Sequence, residues 1–276
     1  MSVDPDREPP AEPASGTAWA GSAPWPLGPS RGLALGFVAM LPLVLAYEWG
    51  LAATGGGSRN TSELVLFRVF EVFGARADLA RWVGLGLAAA WALATALRAD
   101  WKLGPRLGRI LVEGALGALV IGPLLIGCVH LLGDALPALD LAPPRGAPPL
   151  ERAALVFGAG AYEELVFRVG VYSALFWMSR RGARFLGAGE RASRLLADAV
   201  GLSGSAGLFA AFHLAILLTW LGRGGEDFDP AIFTYRFLAG ILLGLLFRLR
   251  GPGVAAWTHG LFNLALLLGA GPHVFL

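Results

Sequence analysis

Apolar stretches recur along this 276-residue chain at about 32–53, 82–97, 110–133, 151–178, 200–221, 230–247 and 253–270. Each is near the roughly 20 residues that a helix needs to cross the hydrocarbon core of a bilayer. A single chain segment satisfies its own backbone in that medium only as a helix, so the pattern predicts an all-α, polytopic transmembrane helix bundle of about seven spans. Composition agrees, since a chain that is 55% hydrophobic and 15% charged, with mean hydropathy +0.61, is too apolar for a soluble domain. Residues 61–74 mix Glu63, Arg68 and Glu71 with Leu64, Val65, Phe67, Val69 and Phe70. That mixture predicts an amphipathic helix lying at the interface, outside the span count.

Residues 1–30 are rich in proline, alanine and small residues, with Pro9-Pro10 and Pro24-Trp25-Pro26, and lack the cationic start and apolar core of a signal peptide. They are expected to be a disordered tail preceding a membrane domain over 31–276. Arg98, Lys102, Arg106 and Arg109 fall in one loop, Arg180, Arg181, Arg184, Arg191 and Arg194 in a second, and Arg248 and Arg250 in a third. The positive-inside rule puts all three in the cytoplasm, together with the N-terminus. The acidic turn with Glu226, Asp227 and Asp229 and the proline-rich stretch at 143–149 then lie outside. The four arginines between positions 55 and 81 sit on the same outer side, against the rule. A formal net charge of +2 and no basic, aromatic-interleaved groove leave no case for nucleic acid. Cys128, the one cysteine, excludes an intrachain disulfide and a multi-cysteine metal site, and reads as a packed thiol.

Three polar patterns interrupt the last spans: Glu163-Glu164-x-x-x-Arg168, Phe209-x-x-x-His213 and His259-x-x-x-Asn263. Ionisable groups at membrane depth mark a working site by default, because they must face one another or water. Glu164 and Arg168 have the i, i+4 spacing of an ion pair with the acid first. Glu163 points about 100 degrees away on the helix, on a face with Ala159, Gly160, Phe167 and Gly170 that lets a neighbouring helix approach. This leaves Glu163 available for chemistry while Glu164 and Arg168 support it, although all three could also be a charge network that only pins helices. Counted along the predicted spans, Glu163, His213, His259 and Asn263 all fall near mid-membrane.

A carboxylate and an imidazole converging on one water form a general-base arrangement. A second histidine with an asparagine one turn on supplies donors for a developing oxyanion. Together they suit peptide-bond hydrolysis without a cofactor. Glu163, His213 and His259 could instead ligate a zinc ion with an open position for water, although no His-Glu-x-x-His pattern is present.

The three motifs, in this order on successive predicted spans, resemble the CPBP family of intramembrane endopeptidases, which includes the type II CAAX prenyl proteases and the bacterial Abi proteins. The resemblance covers about 150–270. It implies a helical membrane fold with a water-accessible cavity, a protein or peptide substrate, and a metal-independent glutamate mechanism, with zinc catalysis as the alternative. By position it makes Glu163 the base, His213 its partner, and His259 with Asn263 the oxyanion donors, supported by Glu164, Arg168 and Phe209. The alanine-, glycine- and arginine-rich composition suggests a bacterial inner membrane.

Three other readings compete. Gly201-Leu202-Ser203-Gly204 matches the Gly-x-Ser-Gly of rhomboid serine proteases, with His259 as a possible partner, although small-residue packing explains 201–207 better. A membrane carrier would also bury Glu, His and Arg, and a family fold can be a non-catalytic scaffold. Glu48, Glu113, His130 and Arg236 have no motif partner and read as helix contacts or snorkelling ends, with Arg236 able to reach the cavity.

Overall fold

The computed structural model describes residues 29–55, 59–99, 103–132, 148–222 and 224–268. Nearly all of the expected tail, most of the proline-rich stretch at 143–149 and the side chain of His130 lie outside what it describes. The described residues form helices α1 (Pro29–Ala53), α2 (Thr61–Phe67), α3 (Ala77–Ala99), α4 (Leu103–Leu132), α5 (Pro149–Gly158), α6 (Ser173–Phe185), α7 (Glu190–Ala211), α8 (Ala215–Leu218), α9 (Pro230–Arg250) and α10 (Pro252–Leu267). Between α5 and α6 the helix continues unbroken through two π-helical segments, Ala159–Glu163 and Leu165–Tyr172. No strand occurs among the described residues, so the protein is an all-α bundle.

Four helical stretches, Gly32–Ala53, Thr61–Arg98, Leu103–Leu125 and Pro230–Arg250, are long and apolar enough to cross a membrane. The other long helical segments are 149–185, α7 and α10. These three carry residues of the polar motifs, and α10 has only 16 residues. Helix starts follow local chemistry: Pro149, Pro230 and Pro252 occupy first-turn positions, where a missing N–H leaves nothing unsatisfied. The Asp229 side chain caps α9 through the Ile232 N–H at 2.9 Å.

Two expectations change. The run at 200–221 is not one span: α7 ends at Ala211, and the chain turns at Phe212–Leu214 before the short α8. The stretch at 61–74 is not a single interfacial helix. Its first half, α2, buries Glu63, whereas the following 3-10 segment Arg68–Arg76 keeps Val69, Val72 and Phe73 exposed.

Helix α10 is the centre of the bundle, with most of its first eleven residues buried. Gly251 makes the reversal from α9 into α10 at φ 94°, a left-handed backbone that a side chain would strain. Small residues let the neighbours approach closely. Trp257 donates to the Ala39 carbonyl of α1 at 2.7 Å and Thr258 to the Gly114 carbonyl of α4 at 3.2 Å. Tightest is the π-helical turn against α10, where a Cβ on Gly160 would lie 2.8 Å from the Gly260 Cα and 2.9 Å from the Ala256 oxygen. Gly160→Val should therefore destabilise the protein by about 1–3 kcal/mol, the usual range for overpacking. Gly207→Ala, with nothing within 4 Å, should leave the melting temperature in detergent unchanged or raise it; equal melting of both variants would contradict this packing.

Candidate active site

The π-helical turns set the site up. Departures of this kind inside α-helices re-aim side chains and gather at functional positions. Here they bring the consecutive carboxylates Glu163 and Glu164 to two sides of one imidazole. Glu164 Oε1 accepts from His259 Nδ1 at 2.9 Å, and Glu163 Oε2 lies 3.8 Å from His259 Nε2. Glu164 and Arg168 are completely buried and make the expected i, i+4 ion contact at 3.3 Å. Arg168 also donates to the Gly240 carbonyl at 3.3 Å and lies over the Phe209 ring, 4.7 Å from its centroid. Thus Glu164 is more than a structural partner of Arg168, because it also orients His259.

Phe209 spaces the two histidines. Its ring meets His213 edge-on at 5.3 Å and His259 at 6.0 Å, and Phe167 packs across it at 5.4 Å. His213 follows the end of α7, where its backbone N–H bonds to the Ala210 carbonyl and no longer to that of Phe209. The Phe209 carbonyl takes the His213 Nδ1–H instead, at 3.0 Å. That bond puts a hydrogen on Nδ1, so in the neutral ring Nε2 is left as an acceptor. The turn is braced from the next loop, since Glu226 N–H donates to the His213 carbonyl at 3.0 Å and Ala215 N–H to the Glu226 carbonyl at 2.9 Å. Arg236 grips the Glu226 carboxylate through both terminal nitrogens, at 2.6 and 2.8 Å. Those bonds hold the Glu226 carboxyl below its ordinary range.

A cavity of about 220 Å³ is lined by Glu163, Phe209, His213, His259 and Asn263, together with Arg236 and apolar side chains that include Tyr235 and Phe262. Every motif residue expected to act thus meets at one cavity, and Glu164 and Arg168 stand buried behind it. Ser203 does not line it: the residue is exposed and its hydroxyl donates to the Ala199 carbonyl at 2.7 Å. Nearby, Gly201 packs on Tyr172 and Gly204 on Leu175, the small-residue packing expected of this stretch. Among the described residues no group of three or more His, Cys, Asp or Glu stands in an arrangement that could hold a metal ion.

Sequence reasoning missed the contribution of the N-terminal half. Asn60 donates from Nδ2 to Glu163 Oε1 at 3.2 Å. Glu48, read as an isolated helix contact, takes Arg81 at 2.7 Å and the Tyr162 hydroxyl at 3.3 Å. Arg59 and Arg81 also pair with Glu63, which accounts for two of the four arginines that offended the charge rule. Glu113 is paired too, with Arg109 and Arg250. The one sequence signal for Asn60 was its place three residues before Glu63, an N-cap spacing.

The family model described as Type II CAAX prenyl endopeptidase Rce1-like matches residues 145–265. The segment contains all three motifs and matches the CPBP/CAAX protease family. The match indicates a membrane protease, a hydrolase acting on a protein or peptide. No curated protein and no solved structure matches the chain.

Removing one partner of a buried ion pair strands the other charge. Arg168→Met should cost about 3–5 kcal/mol of stability, and the double variant with Glu164→Gln should recover part of that loss. Denaturation of the purified variants checks both, and a single variant as stable as wild type would contradict the buried pair.

Proposed function

We propose that this protein is an intramembrane endopeptidase in which Glu163 activates a water for attack on a peptide bond. The observation that carries the reading is the meeting of Glu163, His213, His259 and Asn263 at one cavity inside the bundle. His213 Nε2, bare because Nδ1 is committed to Phe209, accepts one hydrogen of the water while Glu163 takes the other. The hydroxide adds to the scissile carbonyl. Charge then develops on the carbonyl oxygen, and Asn263 Nδ2 with His259 Nε2 are the donors in this reading.

His259 needs a second proton for that role. Its Nδ1 hydrogen already goes to Glu164, so in the neutral ring Nε2 accepts and cannot donate. As an imidazolium between Glu163 and Glu164 it can donate. Collapse of the tetrahedral adduct passes the proton held by Glu163 to the leaving amine. No metal enters these steps. The arginine-rich loops support a cytoplasmic N-terminus, and the composition a bacterial inner membrane.

The test uses detergent-purified protein and a peptide library with cleavage products read by mass spectrometry. Glu163→Gln and His213→Ala should each abolish cleavage while melting as wild type does. Ser203→Ala should cleave normally, and serine-directed inhibitors should have no effect. Activity retained in Glu163→Gln would sink the mechanism.

A further inference from the structure

A general base on a long side chain must be held as well as placed, because misplacing a reacting group by about 1 Å costs on the order of 100-fold in rate. The carboxylate of Glu163 has two oxygens with different surroundings. Oε2 faces His259 Nε2 across 3.8 Å, on the cavity side. Oε1 receives the Asn60 amide at 3.2 Å. Which end of that amide faces Glu163 follows from its other bonds: Oδ1 accepts the N–H of Ser62 at 2.8 Å and of Glu63 at 3.4 Å as the cap of α2, so the donor end is turned to Glu163.

Asn60 is itself anchored. Its backbone N–H donates to the Tyr47 hydroxyl at 2.8 Å, and that hydroxyl donates to Glu63. Glu63 accepts from Arg59 at 2.6 Å and from Arg81. Arg81 continues to Glu48 at 2.7 Å, and Glu48 accepts from Tyr162, the residue preceding Glu163. Two acids and two arginines cancel in charge, and Glu63 and Arg81 are almost wholly buried. The cluster therefore grips Glu163 from both sides, through Asn60 on its carboxylate and through Tyr162 on its backbone. All of it except Tyr162 lies outside the segment 145–265 that the family model matches.

From this geometry we infer that Asn60 is a positioning residue for Glu163. It fixes one carboxylate oxygen so that the other faces the water site, and the N-terminal helices thereby complete the active site. The inference rests on the reading of Glu163 as the base.

Serine and aspartate cap helices about as well as asparagine, and neither can offer an amide N–H. Asn60→Ser and Asn60→Asp therefore keep the α2 cap and the backbone bond to Tyr47 while removing the donor to Glu163. On the peptide library, kcat should fall roughly 10- to 100-fold in both, as expected for loss of one hydrogen bond to a charged group, with KM little changed and, in Asn60→Ser, melting near wild type. Asn60→Asp also sets a carboxylate against Glu163, which disfavours the ionised base. The acid limb of its pH–rate profile should move to higher pH, and the other groups acting on Glu163, namely His259, His213 and Arg168, are the same in both variants.

A purely structural Asn60 would leave kcat of Asn60→Ser, which keeps the cap and adds no charge, at the wild-type value. That result, with Glu163→Gln inactive, would overturn this inference and leave the protease reading standing. Cleavage by Glu163→Gln, or no cleavage of the library by wild type, would overturn both.

Discussion

Two carboxylates on consecutive residues cannot be buried beside one imidazole unless each has its own partner, and this constraint organises the bundle around α10. Glu164 has Arg168 on one side and His259 Nδ1 on the other. Arg168 in turn is met by the Gly240 carbonyl of α9 and the Phe209 ring of α7. Glu164 and Arg168 together thus connect the helices that carry all three motifs. Glu163 is served differently, by a neutral amide and, across the cavity, by His259. Glu164 thus pairs with an arginine and an imidazole, whereas Glu163 meets an amide and the cavity, a difference in surroundings on which the proposed division of roles between them rests.

The pairing requires the backbones to come close. Gly160 and Gly260 allow the π-helical turn to lie directly on α10, and the change of helical pitch at 159–163 turns Glu163 toward the cavity. A similar economy operates at His213. Ending α7 at Ala211 frees the Phe209 carbonyl, which then fixes the histidine tautomer. Helix irregularity and function coincide at both places because an ideal helix would spend those backbone and side-chain groups on itself.

The membrane class, the seven apolar runs and the three motifs were legible in the chain because each rests on local pattern: run length, i, i+4 spacing, and residue type in an apolar setting. Ends and partners were not. Nothing near 211 in the sequence marks the halt of α7, since Leu214, Ala215 and Ile216 continue the apolar run, and the turn depends on Glu226, thirteen positions after His213, bonding back to its carbonyl. Glu48, Glu63, Arg59 and Arg81 looked unrelated because their pairing is made by α1, α2 and α3 packing together. The arginines of that stretch were weighed as topology signals, and two prove to be internal counter-charges. His259 was assigned a donor role from its motif, and only the bond from its Nδ1 to Glu164 reveals the second proton that role demands.

The central claim is that carboxylate and imidazole, with no metal between them, activate the water. Cleavage by wild-type protein after exhaustive chelation, with the metal content of the same sample measured, tests it most directly. The account predicts full activity at a metal content far below one ion per protein molecule. Activity that disappears on chelation and returns with added zinc would contradict it and turn Glu163, His213 and His259 into ligands.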